Sequence, residues 1–156
     1  MNTLLSPQEA YNLAFTPDEN LSPNNISTSD IKATELLFIK PYIGAALYEK
    51  LLSGHYPELR QALLPPIAFY LRQAIQPRLD VHTDRLGTST PHSDATHRTS
   101  VEACRLQKLA FRRVARLLRR DVLDFLEQHT DAYPEFQPME NPLKHCSIHG
   151  NIVQTF

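Results

Sequence analysis

Read for its apolar positions, the chain is a succession of helices separated by proline-rich breaks. Ser6-Pro7-Gln8-Glu9 opens the first: serine can cap, proline suits the first helical position, and glutamate closes a capping box. Ala10, Leu13 and Ala14 then form a short apolar edge. The segment from Thr16 to Ser29, rich in Asn, Ser, Pro and Asp, reads as loop. A second helix is expected to begin near Ser27 to Asp30. Its Ile31, Leu36, Phe38, Ile39 and Tyr42 spread over several sides, which marks it as central. Pro41 should interrupt or kink it, and Gly44 allows a sharp turn. Leu47, Leu51 and Leu52 extend the apolar stripe to Gly54, a good C-terminal stop.

Leu59, Leu63, Ile67, Leu71 and Ile75 keep helical spacing behind Pro57-Glu58. Pro65-Pro66 falls inside that pattern, so the expectation is two helices, the second starting at the proline pair and ending near Pro77. From about residue 80 to 99 the pattern stops: Gly, Thr, Ser, His and Pro dominate, as in a long exposed loop. Thr99-Ser100-Val101-Glu102 is another capping box, and the longest helix follows it to about Gln128. Leu106, Ala110, Val114, Leu117, Leu118, Phe125 and Leu126 are its expected buried stripe. Tyr133-Pro134 ends the pattern, and residues 137–156 read as an irregular tail. No strand pattern and no internal repeat is visible. The expected fold is all-α: about five helices in a domain spanning residues 1–136, with a long flexible loop near 80–99 and a partner-docked or irregular tail.

Composition narrows the classes. A chain of 156 residues with 42% apolar content has room for one core. A net charge of −1 argues against a strongly cationic nucleic-acid protein, though not against a local basic face. Cys104 and Cys146 do not suggest a disulfide framework. No run approaches the roughly 18 apolar residues of a membrane span, and the first residues lack a signal-peptide pattern.

The candidate chemistry is sparse. Arg105, Lys108, Arg112, Arg113, Arg116, Arg119 and Arg120 all fall on the long helix, within an arc of roughly 140° at about 100° per residue. Such a stripe is commonly a solvated face with internal pairing. As an interaction face it suits an acidic protein partner or a phosphate backbone, and the lack of interleaved aromatic residues weakens single-strand binding. His145, Cys146 and His149 match no metal-ligand spacing, so no metal site is expected. His82, His92 and His97 read as solvent-exposed loop residues, and Cys104 as a small core residue. Tyr42, Tyr48, Tyr56 and Tyr70 are expected in the core with hydroxyls at its edge. There is no nucleophile elbow, phosphate loop or dinucleotide turn, so no catalytic residue and no cofactor are expected.

The order of these features resembles the small helical head–tail connector proteins of tailed phages and prophages, also called head-completion or adaptor proteins. The matching residues are Ile39, Pro41, Ile43, Gly44, Leu47, Tyr48 and Leu51, then Leu63-Leu64 and the helix through Leu71, then Asp124-Phe125-Leu126 and Tyr133-Pro134-Glu135. The resemblance covers roughly residues 27–136. It implies a non-enzymatic subunit that self-associates into a ring of about a dozen copies between the portal protein and a tail-side connector or stopper protein. Genomic double-stranded DNA would pass through the channel without sequence-specific binding, and no membrane is involved. The protein would sit in the host cytoplasm during assembly and then at the head–tail junction of the virion. Members of that family often stay monomeric until the portal templates them. In that family the long loop and chain ends contact neighbours. The rival reading is a small DNA-binding or regulatory helical protein using the arginine face.

Overall fold

Ser6 starts the first helix as its sequence demands. Its hydroxyl accepts from the Glu9 backbone N–H at 3.2 Å, and the Glu9 carboxylate accepts from the Ser6 N–H at 2.8 Å, completing the capping box. The structure is a computed structural model and describes residues 2–16, 22–79, 82–84, 87–89, 101–137, 146–149 and 152–155. Its helices are α1 (Pro7–Ala14), α2 (Thr28–Phe38), α3 (Lys40–Ile43), α4 (Ala45–Leu52), α5 (Pro57–Leu79) and α6 (Val101–Gln128). Five of them run two turns or more, α3 is a single turn, and the fold is all-α. Thr99 and Ser100, the expected cap of α6, lie outside the described residues.

The Pro41–Gly44 region makes a corner. The α2 helix stops at Phe38, and Pro41 sits in the first turn of α3, where a missing N–H costs little. Gly44 has φ 88° and ψ 153°, a conformation close to closed to residues with a Cβ, and it is buried where α3 hands over to α4. The corner turns Ile39, Ile43, Leu47, Tyr48 and Leu51 into one core. At the far end of α4 the chain closes in a Schellman motif. The His55 N–H reaches the Lys50 carbonyl and the Gly54 N–H the Leu51 carbonyl, each at 3.1 Å, with Gly54 at φ 87°.

One expectation fails in α5. Pro65 and Pro66 do not split it: the helix is continuous for 23 residues. The two prolines remove the N–H partners of the Gln61 and Ala62 carbonyls. Gln61 and Ala62 are solvent-exposed, so water can take those carbonyls. On the other side Leu59, Leu63, Ile67, Leu71 and Ile75 are buried against α1, α2 and α6. Burying that stripe outweighs the lost hydrogen bonds, since each large apolar side chain contributes about 1.5–3 kcal/mol.

Two short antiparallel pairings lie within the expected loop and tail. Strands β1 (His82–Asp84) and β2 (Gly87–Ser89) pair with each other, as do β3 (Cys146–His149) and β4 (Ile152–Thr155). The other residues of the expected 80–99 loop lie outside the described residues.

The amino-terminal arm is tied to the core by a buried acid. Glu35 is fully buried on α2. One carboxylate oxygen accepts from the backbone N–H groups of Leu4 at 2.7 Å and Leu5 at 3.2 Å, and the other accepts from the Tyr48 hydroxyl at 2.6 Å. Lys32 donates to the Tyr48 oxygen at 2.9 Å and to the Asn2 carbonyl at 3.1 Å. Burial raises the Glu35 pKa above its ordinary 4.5, outweighing the hydrogen bonds and the Lys32 charge that lower it.

The native state therefore holds the Glu35 proton more tightly than the unfolded chain. The stability this contributes is full below pH 4.5 and is lost as pH rises through the folded-state pKa. Urea unfolding of Glu35→Gln should lack that pH-dependent loss. Glu35→Ala, which strands two backbone donors and a phenol, should cost about 3 kcal/mol at low pH, and less as rising pH removes the wild-type contribution of Glu35. Gly44→Ala should cost about 1–3 kcal/mol through backbone strain, read as a lower urea midpoint with an unchanged m-value.

Candidate functional site

The α6 helix carries the residues singled out from the sequence, and its orientation decides which of them reach solvent. It packs on α5. Ala115, Arg119, Val122, Leu123 and Leu126 are buried, and Cys104, Lys108, Phe111 and Leu118 are half-buried. The spacing 104, 108, 111, 115, 119, 122, 126 is one helical face. The expected buried stripe is mostly on the opposite side: Leu106 is 54% exposed, Leu117 69% and Phe125 42%, and Ala110 and Val114 are also exposed. Of that set only Leu118 and Leu126 turn inward. The inward face is taken instead by Ala115, Val122, Leu123 and Leu126, with Arg119 received by facing aromatic rings.

Arg119 is that side chain, and it is not part of any exposed basic face. Only 7% of it is accessible. Its guanidinium lies 3.6 Å from the Tyr42 ring centroid and 5.4 Å from that of Tyr70, which is itself stacked on Phe38 at 4.4 Å. It donates to the Phe38 carbonyl, the last of α2, at 3.3 Å. Burial raises the Tyr70 pKa against the neighbouring charges of Arg119, Arg116 and Arg112, which lower it. Arg72 on α5 repeats the arrangement. Its guanidinium sits 4.9 Å from the Phe15 centroid and 4.2 Å from that of Phe111, and it donates to the Ala14 carbonyl at the end of α1.

The remaining basic residues divide. Arg105 is held by Glu102 at 2.8 Å and Arg120 by Asp124 at 3.8 Å, both exposed pairs on the same helix. Lys108 is half-buried. Arg112, Arg113 and Arg116 are exposed and have no carboxylate partner among the described residues. Arg113 stands within an exposed apolar ridge formed by Leu106, Leu109, Ala110 and Leu117, at helical offsets of 3, 4, 7 and 11 from Leu106. The arginine face and the leucine ridge are thus adjacent: the ridge is turned from α5, and Arg112 and Arg116 stand at its border, near enough for their charges to reach Tyr70.

At the other end of α6 lies a cleft of about 410 Å³ that the sequence did not reveal. Leu59 and Ala62 from α5, Val122 and Phe125 from α6, and Tyr133 form its apolar lining, and Glu58, Asp121 and Asp124 its acidic rim. Tyr133 is set by Tyr56, whose ring meets it edge-on at 5.0 Å. Tyr56 adopts φ 54°, unusual for a tyrosine and doubly so before a proline. Its hydroxyl donates to Glu135 at 2.9 Å, which holds the Glu135 carboxyl below its ordinary value, and Lys50 lies 3.9 Å from the same carboxylate. Asp121 and Asp124 are neighbours at i,i+3 on α6. That Glu58 and Tyr133 converge on them was not legible in the sequence.

Among the described residues no group of His, Cys, Asp and Glu has metal-binding geometry, and no helix is long and apolar enough to cross a membrane. His145, His92 and His97 lie outside the described residues. No family model matches the chain, and neither a curated protein nor a solved structure matches it.

The burial difference along α6 separates two kinds of arginine. Arg119→Ala should lower stability by about 2–4 kcal/mol, because it empties a packed site and frees the Phe38 carbonyl; Arg119→Lys should recover only part, lacking the planar stack. Arg112→Ala and Arg116→Ala should stay within about 0.5 kcal/mol of the parent in chemical denaturation.

Proposed function

We propose that this chain is a non-enzymatic assembly subunit of the head–tail connector type, working through surfaces rather than through a reactive centre. The observation that carries the reading is the corner at residues 39–51. The residues on which the resemblance to connector proteins rests there, Ile39, Ile43, Leu47, Tyr48 and Leu51, are all buried, and Gly44 holds the turn that joins them. They are a packing signature of a small helical core, and they leave the outer face of α6 for partners. On this reading the subunit docks on a portal ring, copies line up around the DNA channel, and a tail-side protein seals the far end. Exposed arginines that gripped the passing phosphates tightly would hinder transit. Arg112 and Arg116 therefore point to acidic protein surfaces.

A second reading, DNA binding by α6, is favoured by one feature: Arg112, Arg113 and Arg116 are exposed without carboxylate partners among the described residues. It calls for an affinity that falls steeply with salt.

The first test is to purify particles from an induced host and quantify this chain by mass spectrometry. About a dozen copies per tailed particle is the expected result; absence from complete particles overturns the assembly reading. Reversing the charge at Arg112 and Arg116 should weaken incorporation without unfolding the protein. Unaltered incorporation would remove the arginines from the interface.

A further inference from the structure

The leucine ridge of α6 and the acidic cleft are complementary, and the chain carries one of each. The ridge is a convex apolar line, Leu106, Leu109, Ala110 and Leu117, with Arg113 in its middle. The cleft is concave, floored by Leu59, Val122, Phe125 and Tyr133 and rimmed by Glu58, Asp121 and Asp124. An arginine within an apolar ridge, received by an apolar pocket with carboxylates at its edge, is the usual chemistry of a binding hot spot. The cleft cannot be filled by the ridge of its own copy. Arg113 and Asp121 belong to one continuous helix, eight residues apart, so about 12 Å of rigid rod keeps them separate.

We infer that the cleft of one copy receives the α6 ridge of a second copy, with Arg113 entering between Asp121 and Glu58. Charge selects this occupant. The chain as a whole is near neutral at −1, so copies do not repel one another globally. Along α6 the exposed Arg112, Arg113 and Arg116, which have no carboxylate partner among the described residues, precede Asp121 and Asp124, the latter paired with Arg120. A two-fold pair, each ridge in the other's cleft, ends at the dimer; a head-to-tail contact leaves one face of each copy open for the next. Such a contact closes into a ring or runs on as a filament, according to the angle between copies. The inference deepens the assembly reading by naming the joint between subunits. It rests on that reading only for ring closure, not for the pairing itself. The contact is small, so association in the absence of other components is weak.

Sedimentation velocity of the full chain tests it, over protein concentrations up to ~1 mM and at low and high salt, where a weak, steered contact separates from monomer. The expected result is concentration-dependent association that salt weakens. Arg113→Glu alone and Asp121→Arg alone should each weaken it by tenfold or more. An equimolar mixture of the two variants should associate again, because the reversed charges meet at alternate joints and the original ones at the rest. Circular dichroism melts verify that both variants fold. A wild type that stays monomeric throughout overturns the inference, as does association that neither variant weakens, or a mixture that fails to recover. Particle composition is measured separately. A chain present in particles yet monomeric here would keep the assembly reading and reject this joint, leaving the ridge and cleft to other proteins. A chain that associates as described yet is missing from particles would keep the joint and reject that reading.

Discussion

Two helices end in the interior of this protein, and each ends on a buried arginine. The final carbonyls of a helix have no intrahelical donor and carry the negative end of its dipole, so burying them is costly without a cation or donor. Arg72 meets the last carbonyl of α1 and Arg119 the last carbonyl of α2. Each guanidinium is packed on ring faces: Phe15 and Phe111 for the first, Tyr42 and Tyr70 for the second. The two long helices supply the arginines and the two short ones the carbonyls. The arrangement therefore fixes α1 and α2 on α5 and α6 by position as well as by apolar burial.

That constraint sets the face of α6. Once Arg119 points inward, the helix can rotate little, and Leu106 and Leu117 are carried to the far side. The exposed ridge is a consequence of the buried cation. The same rotation brings Asp121 and Asp124 to the mouth of the cleft beside Glu58. Core and candidate surfaces are thus set by one choice. Glu35 plays the corresponding part at the amino terminus, where a fully buried carboxylate on α2 collects the Leu4 and Leu5 N–H groups and ties the arm to the core. Polar groups at the joints and apolar residues between them divide the work of specifying this fold.

Much of the fold was legible in the sequence. The Ser6 capping box, the Gly54 stop and the Pro41–Gly44 corner are local chemistry, and local chemistry needs no partner to be read. The long final helix was legible for the same reason. The misreadings share a cause. A proline pair was expected to break α5, since propensity weighs the lost N–H groups and cannot weigh a stripe buried on three neighbours. The leucines of α6 were assigned inward because apolarity was taken as burial, which holds only when no aromatic wall waits for a cation.

By itself, the sequence determined that the chain is helical, where most helices start and stop, and that its cations concentrate on one long helix. These follow from interactions within a few residues of each other. Only the tertiary structure decided which side of that helix faces solvent, that Arg119 belongs to the core, and that Glu58, Asp121, Asp124 and Tyr133 share a cleft. Those outcomes depend on residues some 60 to 80 positions apart, as Phe38 and Arg119 are at a separation of 81. No periodicity along the chain encodes which distant ring or carbonyl a side chain will meet.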